Sequence, residues 1–194
     1  MAHVIAQHAW FRDSISSKTS PKRSWYIWKP ASSFSADGTP SPPNNWASIL
    51  GDAGSAWTYD PASKEYYLTL FTPNQPDLNW ETPEVREAVY SVMRFWLNRG
   101  AEGFRLDVIN CISKDPSYQD AEIVDPSSKY QPAFAHFVSG PHFHEFLQEM
   151  HKEVLGKYDA LTVGECDYAA DTVEDAIKTI DPSRKELNMI FQFE

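Results

Sequence analysis

From residue 81 to residue 194 the chain alternates helix-like and strand-like segments, and the first two strands both end on a carboxylate. Thr82-Pro83-Glu84 opens a helix with a cap residue, a proline at its first position and an acid in its first turn. Val85, Val89, Val92, Met93 and Trp96 then recur at helical spacing until Gly100 closes it. Gly103-Phe104-Arg105-Leu106-Asp107-Val108-Ile109 reads as a strand. A second helix runs from about His142 to Leu155, with Phe143, Phe146, Leu147, Met150 and Val154 on one face. The segment from Ala160 to Glu165 is a second strand, Thr172 to Thr179 a further helix, and Leu187 to Phe193 a third strand. Such an order implies an α/β fold whose strands pair in parallel through right-handed crossovers. Residues 8–80 differ in texture. They are rich in Pro, Ser, Asn and Trp and nearly lack helical periodicity, with short strands at Trp25–Trp28 and Tyr66–Phe71 and turns at Pro42–Asn45 and Tyr59–Pro61. They predict an irregular, β-rich subdomain.

Composition narrows the function. The 194 residues are 42% hydrophobic and 14% aromatic, enough apolar material for a packed core and too much for a disordered chain. The formal net charge of −10 disfavours nucleic acid and anionic membranes, which select clustered Lys and Arg, and is compatible with a neutral substrate such as a sugar, which needs no steering. No run approaches the ~20 apolar residues of a membrane span. The opening Met1-Ala2-His3-Val4-Ile5-Ala6 lacks the basic start of a signal peptide. Cys111 and Cys166 form neither a disulfide framework nor a metal-ligand spacing, so reduced thiols and a cytoplasmic location are expected, with no cofactor and no metal. Oligomeric state is not legible.

The chemistry sits in the strand-terminal acids. Parallel α/β sheets gather their functional groups at the carboxyl ends of strands, so Asp107 and Glu165 on consecutive strands would share one mouth. Alternation puts Arg105 and Asp107 on one face of the first strand and Phe104, Leu106 and Val108 on the other. A guanidinium beside Asp107 favours its ionised form, whereas Glu165 follows the apolar Leu161 and Val163 with no cation next to it in sequence. One acid held ionised and one held protonable is the division that glycosidic cleavage needs. Two plainer readings stand beside this: Arg105–Asp107 as a structural ion pair, and Glu165 as a cap for the next helix together with Asp167 and Asp171.

Several segments, in order along the chain, carry a wider likeness. They are Gln7-His8-Ala9-Trp10-Phe11, Pro43-Asn44-Asn45-Trp46, Gly54-Ser55-Ala56-Trp57, Gln75-Pro76-Asp77-Leu78-Asn79, Gly103-Phe104-Arg105-Leu106-Asp107-Val108-Ile109-Asn110, Gly140-Pro141, Thr162-Val163-Gly164-Glu165 and Phe191-Gln192-Phe193-Glu194. Together they resemble the oligo-1,6-glucosidase and maltase branch of the α-amylase superfamily, glycoside hydrolase family thirteen. The resemblance implies a fragment of a (β/α)8 TIM barrel with an inserted β-rich subdomain. Residues 8–78 would be the insertion and 79–194 the partial barrel, helix 82–99 its third helix, and the strands ending at Asp107, Glu165 and Glu194 its fourth to sixth. It also implies a retaining α-glucosidase acting on short oligosaccharides, with Asp107 as nucleophile, Glu165 as general acid/base and Arg105 orienting the nucleophile. Phe71 and Gln75 would line the sugar pocket, or serve as a core aromatic and a turn amide. Val108 resembles the residue that accompanies α-1,6 specificity where Thr accompanies α-1,4, unless it is simply a packed strand residue. His3 aligns with the histidine of an Asp-x-x-x-Asn-His motif whose Asp is absent and whose Asn is Ala2.

The family's third carboxylate would lie past Glu194 and its calcium site before Met1. A complete barrel takes roughly 250 residues, so the isolated chain is expected to be inactive. Alternatives are a non-catalytic interaction scaffold with a glucosidase-like fold, a truncated product without enzymatic role, and a sucrose isomerase.

Overall fold

The computed structural model describes residues 2–50, 54–166 and 173–191. The chain divides into two units, one made of residues 3–79 and 116–133, the other of residues 1–2, 80–115 and 134–194.

The first unit begins with a helix that the sequence reading did not anticipate, α1 (Ala9–Ser16). Its start is hidden from pattern reasoning because the cap is a histidine: His8 Nδ1 accepts the Trp10 amide at 3.2 Å. The strands are β1 (Trp28–Pro30), β2 (Ser33–Phe34), β3 (Pro40–Ser41), β4 (Trp57–Asp60) and β5 (Glu65–Leu68). β5 lies between β1 and β4 in an antiparallel sheet, and β2 pairs with β3. The first strand starts later than expected because Arg23–Trp25 form a 3-10 turn. Phe11, buried on α1, packs on Tyr26 and Tyr67 at ring separations of 5.0 and 4.9 Å, which fixes the helix to the sheet.

Residues 116–133 belong to this unit rather than to the barrel segment in which the sequence reading put them. The side chains of the Asn44-Asn45-Trp46 turn explain why. The Trp46 indole donates to the Gln119 carbonyl at 2.9 Å. Asn44 donates to the Tyr118 carbonyl at 3.0 Å, and Asn45 both donates to the Ala121 carbonyl and accepts its amide, at 2.9 and 2.7 Å. Asp120 accepts the Asn45 amide at 2.9 Å. Trp46 is fully buried, so its indole N–H must find an acceptor inside the unit.

The second unit contains α2 (Pro83–Leu97), β6 (Gly103–Leu106), α3 (Phe143–Glu153), β7 (Leu161–Gly164), α4 (Val173–Ile180) and β8 (Met189–Ile190). Its sheet is parallel in the order β6-β7-β8, with α3 and α4 as the connections, as the alternation requires. Val85, Val89, Tyr90, Met93 and Leu97 are the buried stripe of α2, while Val92 and Trp96, expected on that stripe, are exposed. The i, i+4 row ends on Leu97, one residue past the expected Trp96. Gly100, at φ +92°, ends α2 in a conformation that glycine adopts without strain. The third strand is shorter than expected, and Gln192, Phe193 and Glu194 lie outside the described residues, as do Asp167 and Asp171. Among the described residues no helix is long and apolar enough to cross a membrane.

Candidate active site

The parallel register sets Arg105 against Val163 and Leu106 against Gly164, so both strands run out at the same level. Two glycines allow the approach. A Cβ on Gly103 would sit 1.9 Å from the Leu161 carbonyl oxygen, and one on Gly164 would sit 2.6 Å from Leu187 Cδ1. The ladder continues past the strand ends: the Glu165 amide donates to the Leu106 carbonyl at 2.9 Å and the Ile109 amide to the Glu165 carbonyl at 3.0 Å. Asp107 and Glu165 therefore leave adjacent strands side by side.

The Arg105 guanidinium bridges them, one terminal nitrogen donating to Asp107 Oδ1 and the other to Glu165 Oε2. Their exposures differ: the Glu165 side chain is 16% exposed, those of Arg105 and Asp107 44% and 51%. Burial pushes the Glu165 carboxyl above the ordinary glutamate range. The Val108 amide and the Arg105 charge oppose that, while the Asp107 charge and a hydrogen bond with the Asp107 carboxyl reinforce it. A raised Glu165 pKa agrees with the sequence expectation, but the reason offered for it does not. A cation does reach Glu165, across the strand pair, and burial outweighs it. Phe191, just after β8, presents its ring 6.0 Å from the Arg105 guanidinium.

Val108 departs from the extended strand that the sequence implied. Its backbone is left-handed, at φ 39° and ψ 47°, which ends β6 at Leu106 and starts a 3-10 turn at Ile109–Cys111. The side chain is 5% exposed. It is therefore not displayed toward a second sugar, as the linkage argument supposed. What Val108 offers the site is its amide, which donates to Glu165 Oε2 at 3.1 Å. Sequence reasoning had no signal for this, since β-branched residues are the ones least expected at positive φ.

The remaining sequence-predicted residues lie in the other unit and come together there. His3 Nε2 is 2.8 Å from Gln75 Nε2, and the His3 ring packs on Phe71 with centroids 5.2 Å apart. Phe71 is buried, and Gln75 also accepts the Thr72 hydroxyl at 2.9 Å. Thus His3, Phe71 and Gln75 form one cluster, while Arg105, Asp107, Val108 and Glu165 form another. Among the described residues no group of three or more His, Cys, Asp or Glu side chains is arranged to hold a metal ion.

Consecutive parallel strands joined by helices, with carboxylates at their carboxyl ends, define a sector of an α/β barrel of the enzyme-bearing kind. Comparison with known proteins narrows this. The family "Alpha amylase, catalytic domain" matches residues 1–194, and the chain belongs to that TIM-barrel family. It is 51% identical over 192 residues to an alpha-glucosidase of Schizosaccharomyces pombe, covering 99% of this chain and 32% of the relative. An oligo-1,6-glucosidase of Parageobacillus thermoglucosidasius is 50% identical over 192 residues, with the same shares. Of solved structures, the trehalose-6-phosphate hydrolase of Bacillus licheniformis superimposes with a TM-score of 0.84 at 42% identity, over 99% of this chain and 32% of that one. The isomaltulose synthase of Protaminobacter rubrum gives 0.85 at 37% identity, over 98% and 32%. The chain spans about a third of the length of the curated relatives it matches.

Proposed function

We propose that this chain carries the nucleophile and the acid/base of a retaining α-glucosidase acting on short oligosaccharides. The observation behind this reading is the Asp107–Arg105–Glu165 bridge at the ends of two adjacent parallel strands. Asp107, paired with the Arg105 guanidinium, attacks the anomeric carbon and forms a glycosyl-enzyme as the bond to the leaving oxygen breaks. Glu165, whose carboxyl keeps its proton to higher pH than an ordinary glutamate, gives that proton to the leaving oxygen. The resulting carboxylate then takes a proton from water, whose oxygen replaces Asp107 on the sugar. Inverting pairs stand roughly 6.5–9.5 Å apart to admit water, and retaining pairs about 5–5.5 Å. One guanidinium reaching both carboxyls supports the short, retaining arrangement.

A preference for α-1,6 links is supported by the oligo-1,6-glucosidases among the relatives, 50% and 49% identical to this chain. Phe71 and Gln75 are proposed as sugar contacts. A cytoplasmic location is proposed from the sequence's use of only two cysteines, Cys111 and Cys166, in unrelated contexts. A second reading, favoured by the likeness to isomaltulose synthase, has the same intermediate passing its glucosyl group to a sugar hydroxyl instead of water.

Both can be tested by replacing the matching third of the Parageobacillus enzyme with residues 1–194. The chimera is expected to hydrolyse isomaltose faster than maltose and to release the sugar first as the α-anomer. Activity that survives Asp107→Asn, or release of the β-anomer, would refute the proposal. Isomerised product from sucrose would favour the second reading.

A further inference from the structure

Val108 is the residue at this site that the resemblance explains least. A β-branched side chain at φ 39° is strained, because Cβ crowds the backbone where glycine or asparagine would fit. Strain of this kind persists only where its surroundings over-determine it. Here three constraints meet. The side chain is buried, with Ile109, Cys111 and Ile112 buried immediately after it. The amides on either side of the junction close the ladder, Glu165 to Leu106 and Ile109 to Glu165. The Val108 amide itself lies 3.1 Å from Glu165 Oε2, the oxygen that also accepts from Arg105.

We propose that Val108 is a positioning residue for Glu165: its left-handed backbone aims the amide N–H at Oε2 and so fixes the carboxyl of the proposed acid/base against Asp107 and Arg105. This rests on the glucosidase reading for its catalytic meaning but not for its geometry. An extended residue 108 would continue β6 and point its amide along the ladder. The turn redirects that one donor to a side chain. The buried isopropyl group anchors the turn, so the side chain serves to hold the amide in place rather than to touch a sugar. Among the described residues the charged groups on Glu165 are Arg105 and Asp107, both from the end of β6. Like the Arg105 guanidinium, the amide is a donor whose strength does not change with pH. By favouring the ionised carboxyl it limits how far burial lifts the proton affinity, keeping the group able to act as a base in the second half-reaction.

The test is an NMR titration of the 194-residue chain, following the glutamate side-chain carboxyl carbons, with Glu165→Gln assigning the Glu165 signal, and the amide proton of residue 108. In the unaltered chain the Val108 amide is expected to shift with the same midpoint as the Glu165 carboxyl. Replacing valine 108 by its α-hydroxy acid deletes the N–H and is expected to raise that midpoint by up to about one pH unit, tenfold in proton affinity. Val108→Gly keeps the N–H, relaxes the positive φ and removes the anchor, and is expected to give a smaller rise. A Val108 amide indifferent to Glu165 ionisation in the unaltered chain overturns the proposal without needing any variant to fold. So does an unchanged midpoint in the ester. If the amide follows Glu165 yet the chimera cleaves no glucoside, the positioning stands and the glucosidase reading fails. If the chimera is active and the amide does not respond, only the positioning fails.

Discussion

Arg105, on β6, donates to Glu165, on the loop that follows β7, and so ties together the ends of two strands 60 residues apart in sequence. The same guanidinium holds Asp107. Removing it leaves two carboxyls in contact with no cation between them. In the chimeric barrel, Arg105→Ala is expected to lower kcat/KM for isomaltose on the order of 10³-fold. Asp107→Asn and Glu165→Gln should each lower it by on the order of 10⁴-fold, because acids acting as a unit are not additive. Arg105→Lys keeps the charge but cannot span both acids and should recover little. Steady-state kinetics on the four variants decides this, and a normal rate for Arg105→Ala would remove the bridge from the mechanism.

Glu165 also gives the fold a pH dependence. Its folded pKa is raised, so the native state holds the proton more tightly than the unfolded chain. The stability it contributes is complete below the unfolded pKa and is lost as pH rises through the folded one. Thermal melts of the unaltered chain and of Glu165→Gln should diverge across that interval, the variant losing less on going from acid to neutral pH. Parallel curves would contradict the shift.

Glu186 behaves in the opposite sense. This buried carboxylate accepts from His144 Nδ1 at 2.7 Å, Gln148 Nε2 at 2.9 Å and Arg184 Nε at 2.9 Å. Burial alone would raise its pKa, but these donors hold it below the ordinary value. Its contribution is therefore present above the unfolded pKa and lost as pH falls through the folded one. Glu186→Ala strands the Arg184 charge and the other donors, and is expected to cost about 3 kcal/mol in urea denaturation at pH 7. Glu186→Gln should cost less at pH 4 than at pH 7.

Gly103 tests the sheet. The 1.9 Å approach of an added Cβ to the Leu161 carbonyl is an approach to backbone, which no rotamer can relieve. Gly103→Ala is expected to destabilise by about 2 kcal/mol. Amide exchange should quicken at the β6–β7 pairs, and unchanged protection there would show that the methyl is accommodated without parting the strands.

Much of the parallel unit was legible because its signals are local. Thr82-Pro83-Glu84, Gly100 and the apolar runs of β6 and β7 each declare an element on their own. The bridge was half visible: Arg105 and Asp107 share a face by alternation, but the reach of Arg105 to Glu165 depends on strand register, which no single segment encodes. The α1 helix was missed because His8 caps it, and the Val108 turn because sterics argue against it. The assignment of residues 116–133 escaped for a different reason. It is made by the side chains of Asn44, Asn45 and Trp46, more than 70 positions away, meeting backbone carbonyls whose own residues carry no marker.

That two-segment unit has a practical consequence for recombination between relatives. A crossover at residue 80 moves residues 3–79 and leaves their second segment behind, so an incoming tryptophan at position 46 would meet a 116–133 stretch selected against a different partner. Viable exchanges need two breakpoints more, one on each side of that stretch, and libraries shuffled at a single junction should be depleted of folded members even where every local sequence is native.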